Sequence, residues 1–434
     1  MKENKCIVAI SHSNYLYRNA GTEKCMREVA DILRKNEIHY FQIFSFEENS
    51  RLQHISNMNG KVGINYDKKF IGIYSYKDIP GVMKKIQKKY NVVFIGVHIH
   101  NVLNHNYISL SKYLKIISLP ILIWVHDYTS ICPESPILLK NKMECCCNFK
   151  KDPNVCSDCC YNSKATVSQK MIKTFYNNID NKVWGIIAPS NNVKKNILIA
   201  YPNWMNRIHV RGHLKFKNES RKNNLVFPLK IAYVGGQYEH KGFNEWEKLV
   251  ESFSNSSLYE FYYMGASKKK SSSVTSIFVD ASFQGNKAMS YAAKNNKIDV
   301  AFLWSKCQET YSYTYYEMRS AGVQIVTYNN SGNISERVCI ENTGLSFSNI
   351  NELICLMNTP DEFLNKLNMC SHKFYSDYEI NDDINLLVPP QKSYNSFKCD
   401  FIPDKIRKFK ILSFFHFSCN LLKKFKEQRY FYGN

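Results

Sequence analysis

IDVAFLWSKCQETYSYTYYEMRSAGVQIVTY, residues Ile298 to Tyr328, is the stretch that decides how the chain is read. Apolar runs from Ile298 to Trp304 and from Val323 to Tyr328 flank a polar loop and a segment of helical composition, so the order strand, loop, helix, strand is predicted. Glu309 then falls in the loop and Glu317 on the helix. At ~1.5 Å rise per helical residue their spacing spans at most about 12 Å, which lets two carboxylates hold hydroxyls at the two ends of one elongated ligand. A strand ending in a loop that opens a helix, at the carboxyl edge of a parallel sheet, is where open α/β folds bind ligands. The backbone amides of Thr310, Tyr311, Ser312 and Tyr313 would face a phosphate there. The plain alternative is two glutamates on a solvated helix face, and the flanking strands weigh against it.

Working outward, the first half alternates apolar runs with helical patterns. Strands are predicted at Cys6–Ile10, His39–Phe44, Val92–Val97, Pro120–Val125 and Val183–Ala188, and helices at Thr22–Arg34 and Val193–Ala200. Residues 212–230 are polar and read as a linker. Beyond them the pattern resumes with Ile231–Val234, Phe261–Met264, Ser276–Val279, Ile298–Trp304 and Val323–Thr327. Such alternation predicts parallel sheets covered on both faces, and two doubly wound α/β domains facing across a cleft. The expected division is residues 1–212, 213–375, and a basic, aromatic tail at 376–434.

A chain of 434 residues with 44% hydrophobic content supports two packed domains. The longest apolar run, Ile116–Val125, is too short to span a bilayer. No long apolar core follows Met1, so a cytoplasmic protein is expected. The net charge of +21 is compatible with nucleic acid, an anionic membrane surface or anionic small molecules. No nucleic-acid-binding motif accompanies it, so that partner is not expected. Basic residues gather near the end, where Lys405, Arg407, Lys408 and Lys410 precede Ile411, Leu412, Phe414, Phe415 and Phe417, and Lys423, Lys424 and Lys426 follow. Two readings stay open: a surface helix against anionic headgroups, peripheral on the cytoplasmic membrane, or a segment packed on the protein body.

Three further constellations sit at strand ends. After Ile231–Val234 come Gly235, Gly236, Gln237, Tyr238, Glu239, His240, Lys241 and Gly242, a turn that admits close approach of a phosphate and supplies a cation. After the first strand, Gly21-Thr22-Glu23 opens a helix. His126-Asp127 follows the strand ending at Val125, and His98 and His100 occupy a neighbouring edge.

Taken in order, Gly21-Thr22-Glu23, His126-Asp127, Ala188-Pro189-Ser190, Gly235 with Lys241-Gly242, Asp299 before Ser305, and Glu309-x7-Glu317 followed by Ala321-Gly322 resemble the family 4 glycosyltransferases of the GT-B fold. The resemblance runs from residue 1 to about 350. It implies a retaining transfer from a nucleoside diphosphate sugar to a glycan or lipid-linked acceptor, in bacterial capsule or O-antigen synthesis. The donor would lie mainly in the second domain and the acceptor mainly in the first. Carried over residue by residue, Glu309 would hold donor sugar hydroxyls, Glu317 the ribose, Lys241 the pyrophosphate, and His126 the sugar near its reacting centre. Gly21, Gly235, Gly236, Thr310, Tyr311 and Ser312 complete the expected donor site. No Asp-x-Asp pair is present, so no cofactor is expected for catalysis and protein cations would take the place of a metal. Many members carry an arginine where this chain has Gly236. A non-catalytic member that binds sugar nucleotides within a polysaccharide assembly therefore remains a second reading.

Cys132, Cys145, Cys146, Cys147, Cys156, Cys159 and Cys160 crowd the segment around 132–160, directly after His126-Asp127. Cys156-x2-Cys159 has metal-ligand spacing. Cys132, Cys147, Cys156 and Cys159 are the expected ligands of a structural zinc ion, with reduced thiols in a variable loop as the alternative.

Overall fold

β-Branched and aromatic runs bounded by polar turns become the strands of two sheets. The structure is a computed structural model that describes residues 4–18, 20–46, 60–140, 143–144, 162–221, 224–266, 273–280, 284–390, 406 and 408–410. The first sheet comprises β1 (Asn4–Ser11), β2 (Ile38–Ser45), β3 (Lys61–Tyr66), β4 (Lys69–Ser75), β5 (Val92–Ile99) and β6 (Ile121–Trp124). After a short hairpin of β7 (Leu139–Lys140) and β8 (Met143–Glu144), it is completed by β9 (Val183–Ala188) and β10 (Ile208–Val210). The spatial order is β10-β9-β6-β5-β1-β2-β3-β4. All neighbours run parallel except at β2-β3-β4, where an antiparallel pair caps the edge. Helices Gly21–Lys35, Ile79–Tyr90, Tyr107–Ile117, Asn162–Ile179 and Asn191–Ala200 connect these strands, and the central strands are buried almost throughout, as sheets covered on both faces require.

The second sheet contains β12 (Leu229–Val234), β13 (Tyr259–Gly265), β14 (Thr275–Phe278), β15 (Val300–Leu303), β16 (Gln324–Tyr328) and β17 (Gly344–Phe347), all parallel, after β11 (Leu214–Arg221). Its order is β14-β13-β12-β15-β16-β17. The winding reverses between β12 and β15, and the crevice beyond their carboxyl ends is where a doubly wound sheet accepts a ligand. Aromatic residues Tyr233, Trp246, Phe302 and Trp304 fill one face of this sheet, and Met264, Ala301, Tyr315 and Met318 the other.

Between the domains the structure corrects one expectation. Residues 212–230 are not merely a linker: β11 pairs antiparallel with β18 (Lys373–Ile380). Phe216 on β11 stacks on Tyr316 and Tyr375 at 4.7 and 4.4 Å. Its outward residues are charged, and a polar composition conceals a strand whose inner face is narrow. After β18 the chain returns to the first domain, where Leu387 is fully buried and its carbonyl accepts from His98 Nε2 at 2.8 Å. Of the basic tail, Ile406 packs on the first core. Phe409 N donates to Ile73 O at 2.9 Å and Lys408 Nζ to Ile71 O at 2.6 Å, so this part covers the exposed edge of β4. The remainder, Lys405, Arg407 and the residues from Ile411 on, lies outside the described residues, as do Cys147, Cys156 and Cys159. Cys132 is buried in the first core. No helix among the described residues is long and apolar enough to cross a membrane.

Candidate active site

Lys241 and Glu309 meet at the reversal point of the second sheet. The turn after β12 brings Lys241 to the front because Gly242 adopts φ +80 and passes directly over the Trp304 carbonyl, where any Cβ would collide. Glu309 follows β15, and its loop is fixed from behind. Gly332, at φ +64, leaves only 2.5 Å between an added Cβ and Glu309 N, and Asn333 N donates to Glu309 O at 2.8 Å. Lys241 Nζ donates to Glu309 Oε1, joined by Ser305 Oγ at 2.8 Å and Cys307 Sγ at 3.6 Å. Burial opposes ionisation of both groups, but each partner's charge outweighs it: the Glu309 pKa is lowered and the Lys241 pKa raised. The pair is therefore a fixed dipole of full charges at neutral pH. Gly235 and Gly236 form the turn between β12 and this pair, and the ring of Tyr238 occupies the space a side chain at Gly236 would enter.

The polypeptide following Glu309 is engaged with the first domain. Thr310 Oγ1 donates to His126 O at 2.6 Å and Thr310 O accepts from Ser190 Oγ at 3.1 Å. Tyr311 Oη accepts from Leu214 N at 2.9 Å. Ser312 caps the helix Tyr313–Arg319, accepting from Tyr315 N at 3.2 Å, while its own amide donates to Asn333 Oδ1. Of the amides expected to face a phosphate, that of Ser312 is thus directed to a side chain. Glu317 does not join Lys241 and Glu309: its carboxylate is buried 3.7 Å from Lys24 of the helix Gly21–Lys35, and burial pushes its pKa up against that cation. Gly21, which opens the helix, has no atom within 4 Å of an added Cβ.

His126 belongs to an aromatic column that links the domains. It stacks on Trp124 at 5.7 Å and on His100 at 5.2 Å, and reaches His213 at 5.9 Å; His213 in turn lies 4.4 Å from Tyr311. Tyr40 Oη, His100 and His126 form a hydrogen-bonded chain with contacts of 2.8 and 2.9 Å. Burial, with a smaller contribution from His12, pushes the His126 pKa down to about 3. It is a neutral imidazole at physiological pH, suited to hydrogen bonding rather than to carrying charge. Asp127 is held beside it by Asn101 Nδ2 at 2.9 Å and Thr129 N at 2.8 Å.

Several residues at this junction were not singled out from the sequence. Lys24 lies 4.0 Å over the Tyr313 ring as well as beside Glu317, and Tyr313 Oη donates to Glu28 Oε2 at 2.9 Å. Burial raises the Glu28 pKa to about 7. Cys25 Sγ and His213 Nδ1 are 3.5 Å apart. Glu28 had a usable signal, a carboxylate within the apolar stripe Cys25, Val29, Ile32; His213, in the polar stretch read as a linker, had none.

No family model matches the sequence, and no curated protein matches it. Among solved structures, the chain is similar to sucrose-phosphate synthase from Thermosynechococcus elongatus, with TM-score 0.50 and 13% identity over 83% of this chain and 92% of that one. It also matches the pneumococcal O-GlcNAc transferase GtfA in complex with UDP and GlcNAc, with TM-score 0.48 and 9% identity over 84% and 94% of the two chains. Anabaena HepE in complex with UDP-glucose matches with TM-score 0.46 and 12% identity, over 84% and 93%. At these identities the likeness is one of fold. The chain has the GT-B fold, two doubly wound α/β domains facing one another, as the resemblance in its sequence implied.

Proposed function

We propose that the protein is a retaining glycosyltransferase that moves a sugar from a nucleoside diphosphate sugar to a glycan or lipid-linked acceptor in surface-polysaccharide synthesis. The Lys241–Glu309 pair at the reversal point of the second sheet carries this reading. As the bond to the anomeric carbon lengthens, negative charge grows on the leaving phosphate and positive charge on the sugar ring. A fixed ammonium facing the phosphate stabilises that separation more than it stabilises the bound donor. Glu309, anchored through one oxygen, holds sugar hydroxyls; neutral His126 holds the sugar from the first domain; Glu317 takes the ribose when the donor displaces Lys24. Protein cations serve the pyrophosphate in place of a metal. The donor domain is assigned to residues 213–375, the acceptor side to residues 1–212, and the basic tail beyond the part packed on β4 to contact with an anionic membrane surface.

The test is a thermal-shift screen of UDP-, GDP- and ADP-sugars, followed by turnover with the donor that binds. A ligand at 100 times its Kd stabilises by about 2.7 kcal/mol, and the shift is expected in the wild type and reduced in Lys241→Ala and Glu317→Ala. A wild type that no sugar nucleotide stabilises removes the donor site. Gly236 favours a second reading, a sugar-nucleotide-binding protein without transfer. Donor binding with no turnover on any lipid-linked glycan would favour it.

A further inference from the structure

We propose that Cys25, His126 and His213 form a site for one thiophilic transition-metal ion of the zinc class, placed so that the ion ties the first domain to the segment leading into the second. Among the described residues, these three each offer one ligand atom, and the three atoms lie within 4.8 Å of one another. Cys25 Sγ and His213 Nδ1 are 3.5 Å apart. That is the sulfur-to-nitrogen edge of a tetrahedron built on metal–sulfur and metal–nitrogen bonds of about 2.3 and 2.0 Å. The match is independent of any resemblance to known enzymes.

The surroundings meet the other requirements of a metal centre. Cys25 and His213 are almost fully buried, with 1% and 5% of their surfaces exposed. The rotation of the His126 ring is fixed by its contact with His100 Nδ1 at 2.9 Å and by stacking on Trp124, as metal-bound imidazoles are fixed by outer hydrogen bonds. A neutral imidazole offers one nitrogen lone pair to a metal, and the ligand atoms of both rings lie within 4.8 Å of Cys25 Sγ. The charged groups facing the cluster are Lys24 and Arg211, which oppose a cation, and Glu28, which favours one. The cysteine thiolate formed on binding supplies the additional negative charge. In that step the thiol proton leaves to solvent as the sulfur–metal bond forms, so uptake releases one proton and strengthens as pH rises. Three protein ligands leave a fourth tetrahedral position for water.

The ligands come from three elements. Cys25 lies on the helix Gly21–Lys35, His126 follows β6, and His213 lies in the connection between β10 and β11. An ion held by all three fixes the first domain to the segment leading into the second. With Nε2 facing His100, the remaining nitrogen of His126 serves either the ion or the donor sugar, so the two occupy the site in turn. The site is separate from the Cys-rich segment around 132–160, and its readout is metal binding, whatever the outcome of the transferase experiments.

The test is a cobalt(II) titration of the full chain, followed by its thiolate-to-metal absorption and by the number of ions retained after desalting. Cys25→Ser, close in shape to the native side chain, and His213→Gln are each expected to lose one equivalent of cobalt or bind it at least about 10-fold more weakly. A protein in which Cys145, Cys146, Cys147, Cys156, Cys159 and Cys160 are all serine is expected to keep that equivalent. Melting of the metal-free variants confirms that they fold, and since Cys25→Ser and His213→Gln alter different elements, either folded variant decides the question. A wild type that takes up no cobalt overturns the site, as does a folded Cys25→Ser or His213→Gln protein with wild-type stoichiometry, or loss of every equivalent in the six-serine protein.

Discussion

Replacing Lys241 by methionine leaves Glu309 with only Ser305 and Cys307 as side-chain donors to its anchored oxygen. Because the Lys241 side chain is 39% exposed, water screens part of the loss, and the stability cost is expected at about 1 kcal/mol, the low end for an unsatisfied polar group. The effect on transfer is larger: a preorganised charge lost from the leaving group is expected to lower kcat by about 10²–10³-fold. Steady-state kinetics alongside melting separates the two effects, and equal small losses in both would refute a catalytic role for Lys241. Gly236→Arg tests the missing phosphate cation. Its side chain displaces only the exposed ring of Tyr238, and it is expected to tighten donor binding by roughly 10-fold, the worth of one charge-assisted hydrogen bond. That Glu309, Lys241 and His126 lie beyond strand ends was legible in the sequence because each follows an apolar run that ends abruptly; Lys241 and Glu309 meet because β12 and β15 are neighbours in one parallel sheet. Their partners were not legible there. Glu317 has the expected spacing from Glu309, but its pairing with Lys24 depends on how one domain lies on the other, which no local pattern encodes.

Two helices, Gly21–Lys35 and Tyr313–Arg319, meet through Glu28 and Tyr313. Burial raises the Glu28 pKa from the ordinary 4.5 to about 7. The folded protein therefore holds a proton that the unfolded chain releases between these values. The sign follows: this contribution to stability is complete below about pH 4.5 and is lost as pH rises through about 7. Relative to Glu28→Gln, the wild type is expected to lose about 3 kcal/mol across that window, from 1.36 kcal/mol per pKa unit. Denaturant midpoints of the two proteins at pH 5 and 8 measure it, and parallel pH profiles would contradict it. Apolar runs placed the buried central parallel strands but not the short parallel edge strands β10 and β17, few of whose residues are buried. They also missed β11, where most residues are exposed and charged side chains dilute the pattern, and the antiparallel pair β3-β4, although β3 is buried at every position but its first.

Across the whole molecule, buried histidines set the acid limit. Burial pushes His98 and His105 down to about 4 and His126 to about 3, and holds His100 and His213 well below the ordinary value of 6.5. A base whose folded pKa is depressed contributes stability that is present above 6.5 and lost as pH falls toward the folded value. These five residues outnumber Glu28, Glu317 and Asp127, whose raised pKa values act in the opposite sense, so unfolding near pH 5 is expected to take up more than two protons. The pH dependence of the denaturant midpoint gives that number, and an uptake below one would show that the histidines are solvated. Leu387, in the returning segment, has no exposed surface, and Leu387→Ala is expected to cost about 2–5 kcal/mol by leaving a cavity in the first domain.

The chain leaves the first domain and comes back to it at almost the same place. Asn381 N donates to His213 O at 2.8 Å, Asn381 Nδ2 to Gly212 O at 3.0 Å, and Arg211 Nη2 to Asn381 O. The second domain is in effect a guest inserted into a surface loop of its host, with its two ends hydrogen-bonded side by side. Inserted domains with adjacent ends tolerate excision and exchange. This geometry makes the second domain a cassette: cut at the β11–β18 ribbon, it can be replaced by another doubly wound domain while the host keeps both halves of its own fold.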